Sequence, residues 1–157
     1  MFDVSIDSNS SNLVFKDVND VIDIIENLTS LKAEVGILET APKRDDGKSN
    51  AEIGRAHEYG KGHVPKRSFL RLPFADGTFD TLFNQKKLDL TKDLLKDVAE
   101  VVLDAVKQEF ESNNGHGAWS PITDETYRRR RKNMNRDEIL RDTEQLYRAL
   151  DMRVIKK

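Results

Sequence analysis

The clearest pattern in the chain is a long stripe of apolar residues at helical spacing. It predicts one helix from about residue 81 to residue 111, with an apolar face formed by Leu94, Leu95, Val98, Val101, Val102, Ala105 and Val106. The segment Asn113–Gly117 is rich in asparagine and glycine, which predicts a left-handed cap and a flexible link after the helix. This helix is expected to support most of the core.

Two shorter helical patterns precede it. Near the N-terminus, Asp17 is a candidate N-cap for an amphipathic helix whose apolar face is formed by Val18, Val21, Ile22, Ile25 and Leu28. A second helix is expected to begin at an N-cap, Ser49 or Asn50, and to end where Gly60 follows Tyr59.

Two further helices are predicted after Pro121. The first is short and basic. The second is amphipathic, because Asn135 and Glu138 have the spacing of a capping box and the apolar residues that follow share one helical face. Those residues are Ile139, Leu146 and Leu150.

Alternation of apolar and polar residues predicts three extended segments. Residues 2–6 read as a strand or an arm, residues 32–40 as a strand, and Met152–Ile155 as the closing edge of a sheet. The whole pattern indicates an α+β fold in a single domain, residues 1–157. We expect a small, mainly antiparallel sheet packed by one long helix and two or three shorter ones, with a flexible arm at 1–16 and mobile loops near 41–49 and 60–80.

The segment between the second helix and the long one has an unusual composition. Gly60 and Gly62 loosen the backbone, Pro65 stiffens it, and the sequence Arg67–Arg71 places two bulky apolar side chains between two arginines. An exposed loop rarely has this composition. Phe69 and Leu70 are therefore predicted to anchor a neighbouring subunit or another partner, and the arginines favour carboxylates or phosphates on that partner.

Three segments carry a resemblance to a known family. His57-Glu-Tyr-Gly60 with Val64-Pro-Lys-Arg-Ser-Phe-Leu-Arg71 is similar to the "H/N-E-F-G … I-P-x-R-P-F-L-R" signature of small tailed-bacteriophage morphogenesis proteins, which build the neck and complete the tail. Trp119–Thr126 resembles their "W-x-P-L-S-x-x-T" segment, and Ile139–Leu146 resembles "L-I-D-T-G-x-L". The three occur in the same order and cover roughly residues 34–157.

The resemblance implies a structural role in the virion, at the head–tail junction. It implies a homo-oligomeric ring, six-fold above other symmetries, that contacts the connector or head-completion protein and the tail terminator, with DNA crossing its lumen. Two positions depart from the pattern: Ser68 replaces a frequent proline, and Glu144 replaces the usual glycine. Without that glycine, the region after Thr143 is expected to continue as helix instead of turning.

Composition restricts the remaining classes of function. The chain has 157 residues, of which 37% are hydrophobic and 34% charged, and it contains no cysteine. Disulfides and thiolate metal sites are therefore excluded, which fits assembly in a reducing cytoplasm. Neither an apolar run of membrane-spanning length nor a signal-peptide pattern is present in the sequence, so neither a membrane partner nor export is expected.

Charge is divided along the chain. Residues 128–157 contain eleven Lys/Arg and five Asp/Glu, a net charge of +6. Residues 1–127 contain the other fifteen Lys/Arg and twenty-three Asp/Glu, a net charge of −8. Opposite halves of this kind favour head-to-tail contact between identical subunits. The alternative is two differently solvated surfaces.

The basic run from Arg128 to Lys132 has two interpretations. Five adjacent cations would bind phosphates without sequence specificity, so a nucleic-acid-binding protein is the main alternative function. The run could equally be a solvated face or a contact for an acidic neighbour. Trp119, the only tryptophan, is expected to be a core or interface anchor.

Catalytic motifs are incomplete. His57-Glu58 begins like the zinc-protease HExxH, but Lys61 stands where the second histidine is required. Gly47-Lys-Ser49 ends like a P-loop, but Pro42 replaces its first glycine. We therefore expect no catalytic residues, cofactor or metal, and keep a hydrolase as the third alternative. The residues expected to make interactions are His57, Glu58, Tyr59, Pro65, Arg67, Phe69, Leu70, Arg71, Trp119, Arg128, Arg129, Arg130, Arg131 and Lys132.

Overall fold

Seven helices and two strands form the described part of the computed structural model, which covers residues 18–44, 46–130 and 137–157. The elements are α1 Val18–Ser30, β1 Leu31–Ile37, α2 Asn50–Tyr59, α3 Leu72–Ala75, α4 Thr78–Gln85, α5 Leu94–Glu111, α6 Asp124–Arg129, α7 Gln145–Arg148 and β2 Leu150–Lys156. The predicted α+β class is confirmed. The strand predicted at residues 2–6 and the Asp17 cap lie outside the described residues.

The sheet is a single antiparallel pair. Its register runs from Leu31 opposite Lys156 to Ile37 opposite Leu150, so residues far apart in the chain form the two strands. The carboxylate of Glu34 accepts a hydrogen bond from Arg153 Nε across the pair at 2.7 Å. Helix α5 packs against both strands and supports the sheet.

The long helix predicted from residue 81 is two helices. Helix α4 ends at Gln85, and α5 begins only at Leu94, where the apolar stripe begins. The intervening segment 86–93 folds α4 against α5, and Lys86 Nζ donates to Glu100 Oε2 at 3.0 Å. The helical spacing of the apolar residues from Leu94 onward was correct. The helix was wrongly extended backward over residues 86–93, which are not helical.

Helix α1 forms where it was predicted, with its apolar residues on two sides. Ile24 is buried, whereas Val18, Ile22 and Ile25 are 61%, 46% and 54% exposed. The predicted single inward face is therefore wrong, because α1 packs mainly against β1 among the described elements and buries a narrower strip than its apolar residues occupy.

The amphipathic helix predicted after residue 135 is replaced mostly by turns. Leu140 and Glu144 have positive φ angles of 63° and 55°, which interrupt a right-handed helix, and only Gln145–Arg148 is helical. Asn135, half of the predicted capping box, lies outside the described residues.

The core is one cluster that joins distant parts of the chain. Phe110 of α5 lies at its centre, in edge-on contact with Phe69, Trp119 and Tyr147 at centroid distances of 5.1, 5.8 and 5.8 Å. The other buried members of the cluster are Val106, Ile139, Leu146 and Leu150. Aromatic rings packed edge to face stabilise a core beyond the area they bury.

Gly54 lets α2 approach this core closely. A Cβ at that position would lie 2.5 Å from Ile37 Cδ1 and 3.4 Å from Phe69 Cζ. Within the described part of the chain, none of the helices is both long enough and apolar enough to cross a bilayer.

Candidate functional site

A buried carboxylate organises the segment between α2 and α3. Ser49 caps α2 as predicted, and Glu58, in its last turn, is only 2% exposed. Its Oε1 accepts from Ser68 Oγ at 2.6 Å and from Arg71 Nε at 2.8 Å. Its Oε2 accepts from the backbone N–H groups of Phe69 and Leu70 at 2.7 and 2.9 Å. Four donors thus converge on one side chain.

These donors decide the protonation state of Glu58. Burial acts to raise the pKa of its carboxyl group, but the hydrogen bonds from Leu70, Ser68, Arg71 and Phe69 outweigh burial and hold the pKa below its ordinary value. The ionised carboxylate is therefore part of the folded structure.

Arg67 and Trp119 tie the first signature segment to the second. The buried guanidinium of Arg67 donates through Nε to the carbonyl oxygen of Ser120 at 2.9 Å and through Nη2 to that of Pro121 at 3.1 Å. In the opposite direction, Trp119 Nε1 donates to the carbonyl oxygen of Ser68 at 2.9 Å. Trp119 is thus a core anchor, one of the two roles expected of it.

The third segment joins the same core through Ile139 and Leu146. Glu144, which stands where the resembled family has glycine, adopts the left-handed conformation that glycine favours, so the expectation of a continuous helix is wrong. Its carboxylate accepts hydrogen bonds from Arg141 at 2.7 Å and Arg148 at 3.3 Å. Both ion pairs are made by Glu144 while its backbone is left-handed.

All three segments line one open groove of about 860 Å³. Its basic side chains are Arg44, Arg67, Arg129 and Arg130, together with His57 and His63; its acidic ones are Glu125 and Asp142. Burial, followed by the positive charges of Arg67 and Arg44, lowers the pKa of His57 to about 4. His57 is therefore neutral near pH 7, and the arginines give the groove a net positive charge.

The predicted anchor residues belong to the core of the chain itself. Phe69 has no exposed surface. Leu70 is half-buried and lies over Gly36, where a Cβ would be 3.4 Å from Leu70 Cδ2. Phe69 is therefore not available to anchor a partner, because the Glu58 carboxylate fixes its backbone with the side chain turned into the core. For the half-buried Leu70, the anchor role stays a prediction.

The remaining residues of the first segment lie at the surface. Tyr59 is exposed, and the guanidinium of Arg71 lies over its ring at 4.7 Å from the centroid. Pro65 lies on the rim of the groove.

Only part of the basic run lies within the described residues. Arg128 and Arg129 are exposed in the last turn of α6, and Arg129 Nε lies 3.8 Å from Glu125 Oε1. Arg130 is half-buried and donates through Nη1 to the carbonyl oxygen of Glu138. Arg131 and Lys132 lie outside the described residues.

The sequence did not indicate that two apolar surfaces remain exposed in the fold. The α1 face consists of Val18, Ile22 and Ile25. A second surface is formed by the exposed Phe74 and Phe83, whose rings contact the half-buried Phe79 between them in tilted geometry at centroid distances of 4.9 and 5.4 Å. The helical period in α1 identified its residues but not which of them stay exposed.

A titratable cluster was also missed. Asp76, Glu109 and His116 each place a potential ligand atom within 4.8 Å of the other two. Burial, and then the negative charge of Asp76, raises the pKa of Glu109.

Comparison with known proteins gave no match: no protein-family model, no curated protein and no solved structure matches this chain.

Proposed function

We propose that this protein is a structural component of a tailed bacteriophage, made in the host cytoplasm and built into the virion at the head–tail junction as a neck or tail-completion protein. The observation that carries this proposal is that the three segments resembling that family, which lie apart in the sequence, pack into one apolar core and line one groove, with the first two also joined by hydrogen bonds.

Convergence of this kind supports the resemblance because the signature segments of one family are expected to occupy one region of its fold. The residues that carry it most strongly have linked roles: Glu58 fixes the backbone at Phe69, Trp119 bonds to Ser68, and Arg67 bonds to the start of the second segment. These residues of the resembling segments therefore stabilise the fold of the chain itself. We assign the contacts with other proteins of the particle to other surfaces of the molecule.

We assign the contact between neighbouring copies to the α1 face. The copies would form a homo-oligomeric ring, for which six-fold symmetry is proposed. Burying each exposed aliphatic side chain would contribute on the order of 1.5–3 kcal/mol. The polar side of α1 carries Asp20, Asp23 and Glu26 and no Lys or Arg. The exposed Arg128 and Arg129 of a second copy provide the complementary charge, as the divided net charge of the chain also favours.

A contact this small does not sustain a ring in dilute solution. We expect the isolated protein to be monomeric and to form its ring only on the connector or head-completion protein above it and the tail terminator below it. Sedimentation of the triple variant Val18→Ser, Ile22→Ser, Ile25→Ser, with and without those partners, measures this. Loss of assembly in the triple variant, but not in Phe83→Ser at the second apolar surface, is expected; equal assembly in both variants would exclude the α1 face.

Deletion of the gene from a phage or inducible prophage that encodes this chain tests the proposed function. Without a neck or tail-completion protein, filled heads and complete tails should accumulate separately, and the wild-type gene supplied in trans should restore joined particles. A deletion lysate with normal numbers of joined, infectious particles would refute the proposal.

Non-specific binding of nucleic acid is the alternative function, favoured by Arg128 and Arg129, which are exposed on one short helix next to the half-exposed Tyr127. Binding that depends on phosphate contacts falls steeply with salt. Duplex-DNA binding by the isolated protein that is lost in Arg128→Gln, Arg129→Gln would favour this alternative, whereas normal DNA retention in particles carrying the same variant would favour an interface role.

A hydrolase that used His57 and Glu58 is the weakest alternative. All the hydrogen bonds of the Glu58 carboxylate described above hold the chain's own backbone and side chains, which leaves it poorly suited to acid–base work. Any enzymatic activity that is abolished in His57→Gln while folding is retained would revive this alternative.

A further inference from the structure

The cluster of Asp76, Glu109 and His116 does not line the 860 Å³ groove and takes no part in the contacts described above. Asp76 follows α3, Glu109 belongs to the last turn of α5, and His116 lies in the turn after it. The three residues come from two separate parts of the chain, so only the fold brings them together.

Glu109 is the observation that points to a ligand. Its side chain is completely buried, and within the described part of the chain neither of its oxygens makes a well-formed hydrogen bond, although the side chains of Asp76 and His116 lie beside it. An ionised carboxylate buried in this way is destabilising unless a positive charge or a proton compensates it. Among the described residues, the basic side chain in contact with it is His116, which lies equally close to Asp76.

The distances favour a shared cation. His116 Nδ1 lies 3.3 Å from Asp76 Oδ2 and 3.3 Å from Glu109 Oε2. A single N–H cannot point well at both oxygens. Ligand atoms bound at about 2.0–2.1 Å to a tetrahedral Zn²⁺ lie about 3.3–3.4 Å apart, so both separations match edges of a zinc tetrahedron.

The surrounding hydrogen bonds hold the three ligands in place. Asp76 Oδ1 accepts from the backbone N–H of Thr78 at 2.9 Å, which leaves Oδ2 directed at the cluster. The backbone N–H of His116 donates to Ser112 Oγ at 3.2 Å, and that hydroxyl donates to the carbonyl oxygen of Glu109 at 2.7 Å. The bond to Asp76 orients a ligand side chain, as outer hydrogen bonds do in known metal sites, and the bonds through Ser112 fix the backbone that carries Glu109 and His116.

We propose that Asp76, Glu109 and His116 bind a divalent transition-metal ion, with Zn²⁺ preferred. One imidazole and two carboxylates form a donor set suited to zinc, and a site of hard oxygen ligands alone would instead suit Mg²⁺ or Ca²⁺. The adjoining open depression of about 240 Å³, lined by Asp76, Gly77, Thr78, Thr81, Gln108 and His116, leaves room for water to complete the coordination.

The bound ion would join the end of α3, the end of α5 and the turn that leads to Trp119. In that turn, Gly115 lies against the indole so closely that a Cβ there would be 2.6 Å from ring atoms. Metal binding would therefore clamp the turn that positions a central core residue. This inference is independent of the proposed phage function.

Calorimetric titration of the chelator-treated, dialysed full chain with ZnCl₂ tests the proposal, with MgCl₂ as the comparison ion. We expect one Zn²⁺ per chain, a higher Tm in its presence, and negligible Mg²⁺ binding. Both His116→Asn and Asp76→Asn should weaken Zn²⁺ binding at least about tenfold. Asparagine is chosen at 116 because it tolerates the positive φ of 49° found there.

His63→Asn is the matched control, since His63 is an exposed histidine in another turn. It should bind Zn²⁺ like the wild type. The proposal is overturned if the wild-type protein has no saturable Zn²⁺ site, or if folded His116→Asn protein, checked by circular dichroism, binds as tightly as His63→Asn.

Discussion

The backbone N–H of Phe69 donates to Oε2 of Glu58 at 2.7 Å, so the most buried aromatic side chain of the loop is positioned by a buried charge eleven residues earlier. This pairing explains how a glycine-containing, arginine-flanked segment becomes part of a core. It also links two parts of the first segment, since His57-Glu-Tyr-Gly60 supplies the acceptor and Arg67–Arg71 supplies donors.

Replacing Glu58 with glutamine should destabilise the fold. The amide keeps the shape but presents only one accepting oxygen and removes the charge, so two or more donors lose their partner. We expect a loss of about 2–4 kcal/mol in the free energy of unfolding, measured in urea. Glu52→Gln, an exposed position in the same helix, should change it by less than about 0.5 kcal/mol. Similar small effects for both variants would contradict the role assigned to Glu58.

Truncation of Phe69 separates a core role from a partner-anchoring role. Phe69→Ala should cost about 3–5 kcal/mol of stability in the isolated monomer, because it leaves a cavity beside Phe110. Phe83→Ala, at a position that stays exposed, should cost much less. Thermal and urea denaturation of the two variants measures the difference. A stable Phe69→Ala monomer with defective assembly would instead restore the anchor hypothesis.

Glu144 tests the turn in which it replaces glycine. Both Glu144→Gly and Glu144→Ala remove the ion pairs with Arg141 and Arg148, but only glycine adopts the observed φ of 55° without strain. Glu144→Gly should therefore be more stable than Glu144→Ala by about 1 kcal/mol. Equal stability of the two would show that the left-handed conformation is absent in solution.

His57 should make stability depend on pH between about 6.5 and 4. Its pKa is lowered to about 4 in the folded protein, whereas the unfolded chain has the ordinary value of 6.5. In that window the unfolded chain binds a proton that the folded protein does not, so stability falls as the pH falls, by at most about 1.4 kcal/mol per pH unit.

The matched variant is His57→Gln, which does not titrate. The difference in unfolding free energy between wild type and variant should shrink or change sign as the pH is lowered from 7 to about 5, a range above that in which the Glu58 carboxyl is protonated. A difference that stays constant with pH would mean that His57 titrates normally.

Local patterns predicted most of the elements but not how they are joined. The Ser49 cap and the Gly60 stop of α2 were both correct because capping depends on neighbours a few residues away. The interruption between α4 and α5 was missed, since the apolar stripe was extrapolated backward over residues that do not share it. The burial of Ile24 in place of Ile22 and Ile25 depends on how α1 packs against β1, which a helical period does not specify.

The candidate sites illustrate a second limit. The four hydrogen bonds of the Glu58 carboxylate could not be predicted from the sequence, because donors from Ser68 to Arg71 reach it only in the folded chain. The proposed metal ligands are separated by 33 and 7 residues, so a search for ligands at helical spacing had no reason to select them. The three segments that resemble the phage family were found in sequence, whereas their meeting at one groove required the fold.

Imaging of purified virions in which this protein carries a compact label tests the central claim most directly. The proposal predicts label at the junction between head and tail in nearly every complete particle, and tailless heads or headless tails when the gene is deleted. Complete particles that lack the label, or carry it elsewhere on the virion, would contradict the proposed function.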